Sequence, residues 1–138
     1  MIFFEIRFFE IPIKIFIIFY MKHIMDKYTL NFSGGTIENI GCAVATIYYN
    51  NEKILYEADI VEENNSPDYC SYIGLILGLN LALENNISHL KIYGSNKSVI
   101  ERMNKTLQIN DNNLMTLYEI ATELISQFKY IEFNYIKK

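Results

Sequence analysis

The chain lacks any excess of positive charge. Twelve lysines and arginines stand against sixteen aspartates and glutamates, for a formal net charge of -4 and a pI near 5.2. Nothing therefore draws it to polyanions in bulk, and any nucleic-acid contact must come from a local basic patch. Cysteine and histidine are also scarce. Cys42 and Cys70 show no Cys-x-x-Cys spacing and the two histidines form no cluster, which excludes the usual zinc frameworks. The two cysteines are expected as free, mostly buried thiols in a reducing, intracellular compartment. A long apolar run is missing as well. A spanning helix needs about 20 predominantly apolar residues, whereas Glu5, Arg7, Glu10, Pro12 and Lys14 leave only Ile15 to Met21 uninterrupted. No integral membrane span is expected. Mixed charges before that run, and no small-residue cleavage site after Tyr20, argue against a signal peptide.

What is present is enough apolar material for a core. With 51% hydrophobic residues in 138 positions, one compact domain is the economical reading. Residues 1 to 25 differ from the rest and hold most of the phenylalanines. Phe4 to Phe8 and Ile11 to Ile15 alternate with period two, which suits an amphipathic strand or an interfacial segment. The abrupt change at Met25 points to a leader outside the functional fold, with Met21 or Met25 as the true start and the domain spanning 26 to 138. Intact-mass measurement of the native protein tests this. Heavy use of Ile, Asn, Lys, Tyr and Phe points to an AT-rich genome, such as that of a large DNA virus or an AT-biased microbe.

The most informative stretch is Asn31 to Gly41. Tyr28 to Ser33 alternates as a half-buried strand, and Gly34-Gly35 directly after it marks either a strand end with positive φ or a close approach to the backbone. Cys42 to Tyr49 and Lys53 to Ile60 continue an antiparallel meander through Asn50-Asn51. Ser66-Pro67-Asp68 starts a helix: serine caps, proline suits the first turn, and aspartate complements the dipole. That helix is apolar on nearly every side to Leu83, and Gly74 and Gly78 let it lie close to the sheet. His89 to Tyr93 is a short strand stopped by Gly94-Ser95-Asn96. A helix from Lys97 to Asn104, a second with its stripe from Leu114 to Phe128, and a strand from Tyr130 to Ile136 complete the chain. The order β-β-β-α-β-α-α-β is met by a mixed α/β sheet carrying helices on its faces.

Over residues 28 to 138 these segments resemble the ribonuclease H family, in particular its reverse-transcriptase-like members. The first strand of that family ends in Asp-Gly and is followed by Asn-x-Gly; here Ser33-Gly34-Gly35 is followed by Asn39-Ile40-Gly41. Its first long helix opens Thr-Asn-Asn-x-Ala-Glu-Tyr, against Ser66-Pro67-Asp68-Tyr69-Cys70-Ser71-Tyr72. Its fourth strand ends Tyr-x-Asp-Ser, against Ile92-Tyr93-Gly94-Ser95-Asn96. The resemblance implies a ribonuclease H-like fold: a five-stranded sheet, three strands antiparallel and two parallel. It also implies a C-terminal helix beyond the last strand, where this sequence ends at Lys138.

Active members are taken to cut the RNA strand of RNA-DNA hybrids with two divalent metals held by carboxylates. Carried over by motif, those carboxylates fall on Ser33, Ser71 and Ser95. Neutral hydroxyls cannot offset the repulsion between cations only about 3.5 to 4 Å apart, so no metal site and no cofactor is expected, with Mg²⁺ or Mn²⁺ relevant only to an active form using displaced ligands. The nearest acid, Asp68, is better explained by helix capping.

The expected function is thus an inactive ribonuclease H-like domain that binds nucleic acid through Gly34, Gly35, Asn39, Asn96, Lys97, Arg102 and Lys105. The bland reading of the three cations is a solvated face. The alternative is a protein-interaction module, as the reverse transcriptase connection domain exemplifies; fold alone does not choose. An active nuclease ranks third.

Overall fold

A computed structural model describes residues 12–25 and 28–137. Its elements are α1 (Ile13–Met25), β1 (Tyr28–Ile37), β2 (Ile40–Tyr49), β3 (Glu52–Val61), α2 (Pro67–Glu84), β4 (His89–Gly94), α3 (Lys97–Met103), α4 (Asn112–Ile125) and β5 (Tyr130–Tyr135). The strands form one sheet in the order β3-β2-β1-β4-β5. β1, β2 and β3 pair antiparallel, whereas β4 runs parallel to both β1 and β5. The mixed sheet read from the sequence is the one observed.

Two hairpin turns use left-handed residue pairs in place of glycine. Glu38 and Asn39 have φ of 50° and 68°, and Asn50 and Asn51 have φ of 51° and 66°, the twist that matches two-residue hairpins. The first turn corrects the expected strand end at Ser33. β1 runs on to Ile37, and no described glycine has positive φ. The second explanation for the glycine pair holds at Gly34, where a Cβ would lie 2.1 Å from the carbonyl carbon of Cys70. The object that approaches the backbone there is α2, not a ligand. Gly74 answers from the helix side, since a Cβ there would meet the Ser33 carbonyl oxygen at 2.5 Å.

That close approach places the core between one face of the sheet and the helices. Leu30, Phe32, Ala45, Ile47, Leu90 and Ile92 of the sheet pack with Tyr72, Leu75 and Leu79 of α2 and with apolar residues of α3 and α4. Ser66 caps α2, accepting from the Tyr69 amide at 3.3 Å, and Asn86 at φ 59° ends the turn after it. The intervening residues of the strands, Asn31, Ser33, Val44 and Thr46 among them, belong to the opposite face.

The first helix departs from the alternation expected for Ile11 to Ile15. From Ile13 the chain is helical and runs beside β4. Apolar residues fill the odd and even positions alike from Ile15 to Tyr20, so period two carries no information there. Phe4 to Phe8 lies outside the described residues. No helix among the described residues is long and apolar enough to cross a membrane.

Candidate nucleic-acid interface

The site is built where the parallel pairing of β1 with β4 ends, at the end of β4 and midway along β1. Phe32 and Gly94 are register partners, so Ser33 and Ser95 follow at the same level and line one groove of about 220 Å³ with Asn31, Thr46, Tyr93 and Ile136. Carboxyl ends of strands at a switch in strand direction are where open α/β sheets take ligands. Side chains of this groove offer hydroxyls and amides, not carboxylates. Ser71 is held behind it, 1% exposed in the first turns of α2, and its hydroxyl donates to the Gly34 carbonyl at 3.4 Å. Asn96 joins the two layers, donating from Nδ2 to Ser71 Oγ at 3.2 Å and to Asp68 Oδ1 at 2.9 Å while its Oδ1 caps α3 at the Val99 amide. The three serines are therefore brought to one end of the sheet, although Ser71 does not reach the groove surface.

Arg102 is not part of a solvated face. Its side chain is 14% exposed, and Nη1 donates to Asp68 Oδ2 at 3.0 Å. This corrects the reading of Asp68 as chiefly a helix-capping acid: it sits at the second helical position but is engaged by both Arg102 and Asn96. The two partners are 34 residues apart, and no local pattern in the sequence signals the pair. Lys97 is exposed and 3.9 Å from Glu101, and Lys105 is exposed in a left-handed turn at φ 63°. Asn39 is a turn residue whose carbonyl accepts from Asn65 Nδ2 at 3.2 Å, while Thr36 donates to the Asn65 carbonyl. Gly35 has open space where a Cβ would point.

Tyr72, fully buried beneath this network, was not singled out by its sequence context. Its hydroxyl and Arg102 Nε both lack a hydrogen-bond partner among the described residues. Burial pushes the phenol up to about 12, the nearby Arg102 charge opposing. The unfolded chain releases this proton first, near the ordinary value of 10, so stability falls as pH rises from there toward 12. The expected slope is at most about 1.4 kcal/mol per pH unit. Urea midpoints measured across that range test it, and Tyr72→Phe should flatten the slope. Burial also raises the Cys70 thiol. Cys42 and Cys70 are both free, and Cys70 is buried.

Comparison with known proteins gives one family and a consistent set of structures. The family model described as reverse transcriptase-like matches residues 31–138. No curated protein matches in sequence. Among solved structures, the N-terminal ribonuclease H domain of a Mycobacterium tuberculosis protein superposes with a TM-score of 0.76 at 22% identity, covering 81% of this chain and 83% of that one. Ribonuclease H1 from Halobacterium salinarum gives 0.75 at 16% identity, covering 80% and 86%. The ribonuclease H1 termed LC11, solved in complex with an RNA/DNA hybrid, gives 0.73 at 12% identity, covering 81% and 86%. At these identities the structural likeness establishes the fold. With the family match spanning residues 31–138, from within β1 through β5, and the sheet order and buried α2 built as described, the chain belongs to the reverse transcriptase-like family and has the ribonuclease H fold.

Proposed function

We propose that this domain binds nucleic acid, an RNA-DNA hybrid or a duplex, across the open face where the β1–β4 pairing ends, and does not cut it. The observation that carries the reading is the neutral character of the groove: Ser33 and Ser95 line it and Ser71 is buried behind it. The motif resemblance carries the family's carboxylates to these three positions. Two divalent cations do not fit this donor set. Among the described residues no three His, Cys, Asp or Glu side chains converge to hold a metal, and the nearest acid, Asp68, is already engaged by Arg102 and Asn96. No hydrolytic step through a metal follows from these residues.

Without carboxylates the groove does not repel phosphate, and its hydroxyls and amides can donate to phosphate oxygens. Gly35 leaves the backbone approachable, and Lys97 and Lys105 supply exposed charge. Gly34, Asn39, Asn96 and Arg102 support the surface from behind through their contacts with α2 and the preceding loop.

Hybrid, duplex and single-stranded oligonucleotides titrated at low and moderate salt, with and without Mg²⁺ or Mn²⁺, test the reading by retention and cleavage. Salt-sensitive retention without cleavage is expected, and Lys97→Glu with Lys105→Glu should reduce the salt slope by about 2. Metal-dependent cleavage abolished by Asp68→Asn would instead establish a nuclease with displaced ligands. Absence of retention at low salt would leave the protein-interaction reading. Exposed Ile37, Ile40 and Ile60, at 68%, 54% and 63% exposure, favour that second reading.

A further inference from the structure

The helix α1 runs beside β4 yet keeps a broad apolar surface exposed that the rest of the domain does not cover. Ile13, Ile15, Ile17, Ile18 and Tyr20 are 59%, 48%, 52%, 61% and 57% exposed. At about 100° per residue these five positions cover roughly 220° of the helix circumference, and the half-buried Phe16 falls in the remaining arc. A broad exposed apolar surface of this kind marks an interaction or membrane site. The core here is already closed by α2, α3 and α4, and the family match begins at residue 31, beyond α1.

We propose that α1 docks on an anionic bilayer surface, lying in the interface and holding the ribonuclease H-like domain against it. Its thirteen residues extend about 20 Å, short of the roughly 30 Å hydrocarbon layer, so it lies along the surface instead of crossing. Charge selects the partner. Within a chain of net charge -4, α1 contains Lys14, Lys22 and His23 and no acid. A second copy of α1 would bring like charges together, whereas lipid phosphates and carboxylates bring opposite ones. Isoleucine and phenylalanine supply the inserting bulk, tyrosine is at home at the headgroup level, and lysine stems reach back to the phosphates. The acidic remainder of the domain is repelled by the same surface, so attachment depends on α1.

The test is co-sedimentation of the full chain with phosphatidylcholine vesicles, with and without phosphatidylserine. Binding is expected to the serine-containing vesicles and to be weaker to phosphatidylcholine alone. Ile17→Asp with Ile18→Asp should lower partitioning at least about tenfold, since both positions would carry charge into the acyl boundary. Ile60→Asp, an equally exposed position on β3, should not change it. Lys14→Glu should remove the preference for phosphatidylserine. The α1 substitutions fall on exposed positions, so an unchanged urea midpoint shows that the domain remains folded. The proposal is overturned by absence of partitioning, by equal partitioning of the double variant, or by a lipid-free dimer that the double variant dissolves. A native intact mass beginning at Met25 overturns it too, because α1 would then be absent.

Discussion

Gly34→Val is expected to leave the chain unable to fold cooperatively. Even a single Cβ at this position would lie 2.1 Å from Cys70 C, 2.3 Å from Cys70 O and 2.3 Å from Ser71 N. All three are backbone atoms of α2, so no side-chain rotation makes room. Either β1 or the first turns of α2 must move, and both are anchored through the largest apolar cluster. Overpacking a well-filled core costs about 1 to 3 kcal/mol where side chains can adjust. Here they cannot, and a loss of about 4 kcal/mol or more is expected against a total stability of order 5 to 15. Gly35→Ala is the matched control, with nothing within 4 Å of its added carbon. Inside a strand, alanine should be neutral or stabilising by up to about 1 kcal/mol. Urea melts followed by far-ultraviolet circular dichroism separate the two, and a folded Gly34→Val with a near-normal midpoint would contradict the packing described.

Asp68→Ala is expected to cost about 2 to 3 kcal/mol, and more than Arg102→Met. The asymmetry comes from exposure: the Arg102 side chain is 14% exposed, the Asp68 side chain 33%. Removing the acid strands a largely buried guanidinium, whose Nε already has no partner among the described residues. Full burial would place the cost of breaking such a pair at about 3 to 5 kcal/mol, and the partial exposure of Asp68 lowers it. Removing the arginine leaves a carboxylate that water can still reach and that keeps the Asn96 amide at 2.9 Å, so about 1 kcal/mol is expected. A double-mutant cycle should show coupling above about 1 kcal/mol, and additive losses would show that the pair does not act as a unit.

These two sites also mark where sequence reasoning reaches. The glycine at position 34 was visible as a backbone requirement, but its cause was ambiguous between a turn and a close approach. The ambiguity is physical: an absent Cβ says that something is near, or that φ is positive, and only the position of α2 decides which. The three serines stand out only through the resemblance of the surrounding motifs to the ribonuclease H family; periodicity places the strands and the helix that carry them but gives the serines no role. From the sequence Arg102 reads as a nucleic-acid contact or, in the bland reading, a solvated cation, because a seven-residue helix gives too few turns to define its buried face. Its partner is fixed by the crossing of α2 and α3, which no local signal encodes.

Strand and helix order from Tyr28 onward, the Asn50-Asn51 hairpin and the Ser66 cap follow from period, turn residues and caps, all interactions between residues close in the chain. The sequence by itself therefore determined the architecture and the neutral chemistry of Ser33, Ser71 and Ser95. Tertiary structure alone decided that Ser33 and Ser95 share a groove with Ser71 behind them, that Asp68 and Arg102 neutralise one another, that Tyr72 is sealed beneath them, and that Ile13, Ile15, Ile17, Ile18 and Tyr20 of α1 stay exposed. Those outcomes depend on distances between segments dozens of residues apart, set by how β1, β4 and α2 close on the common core.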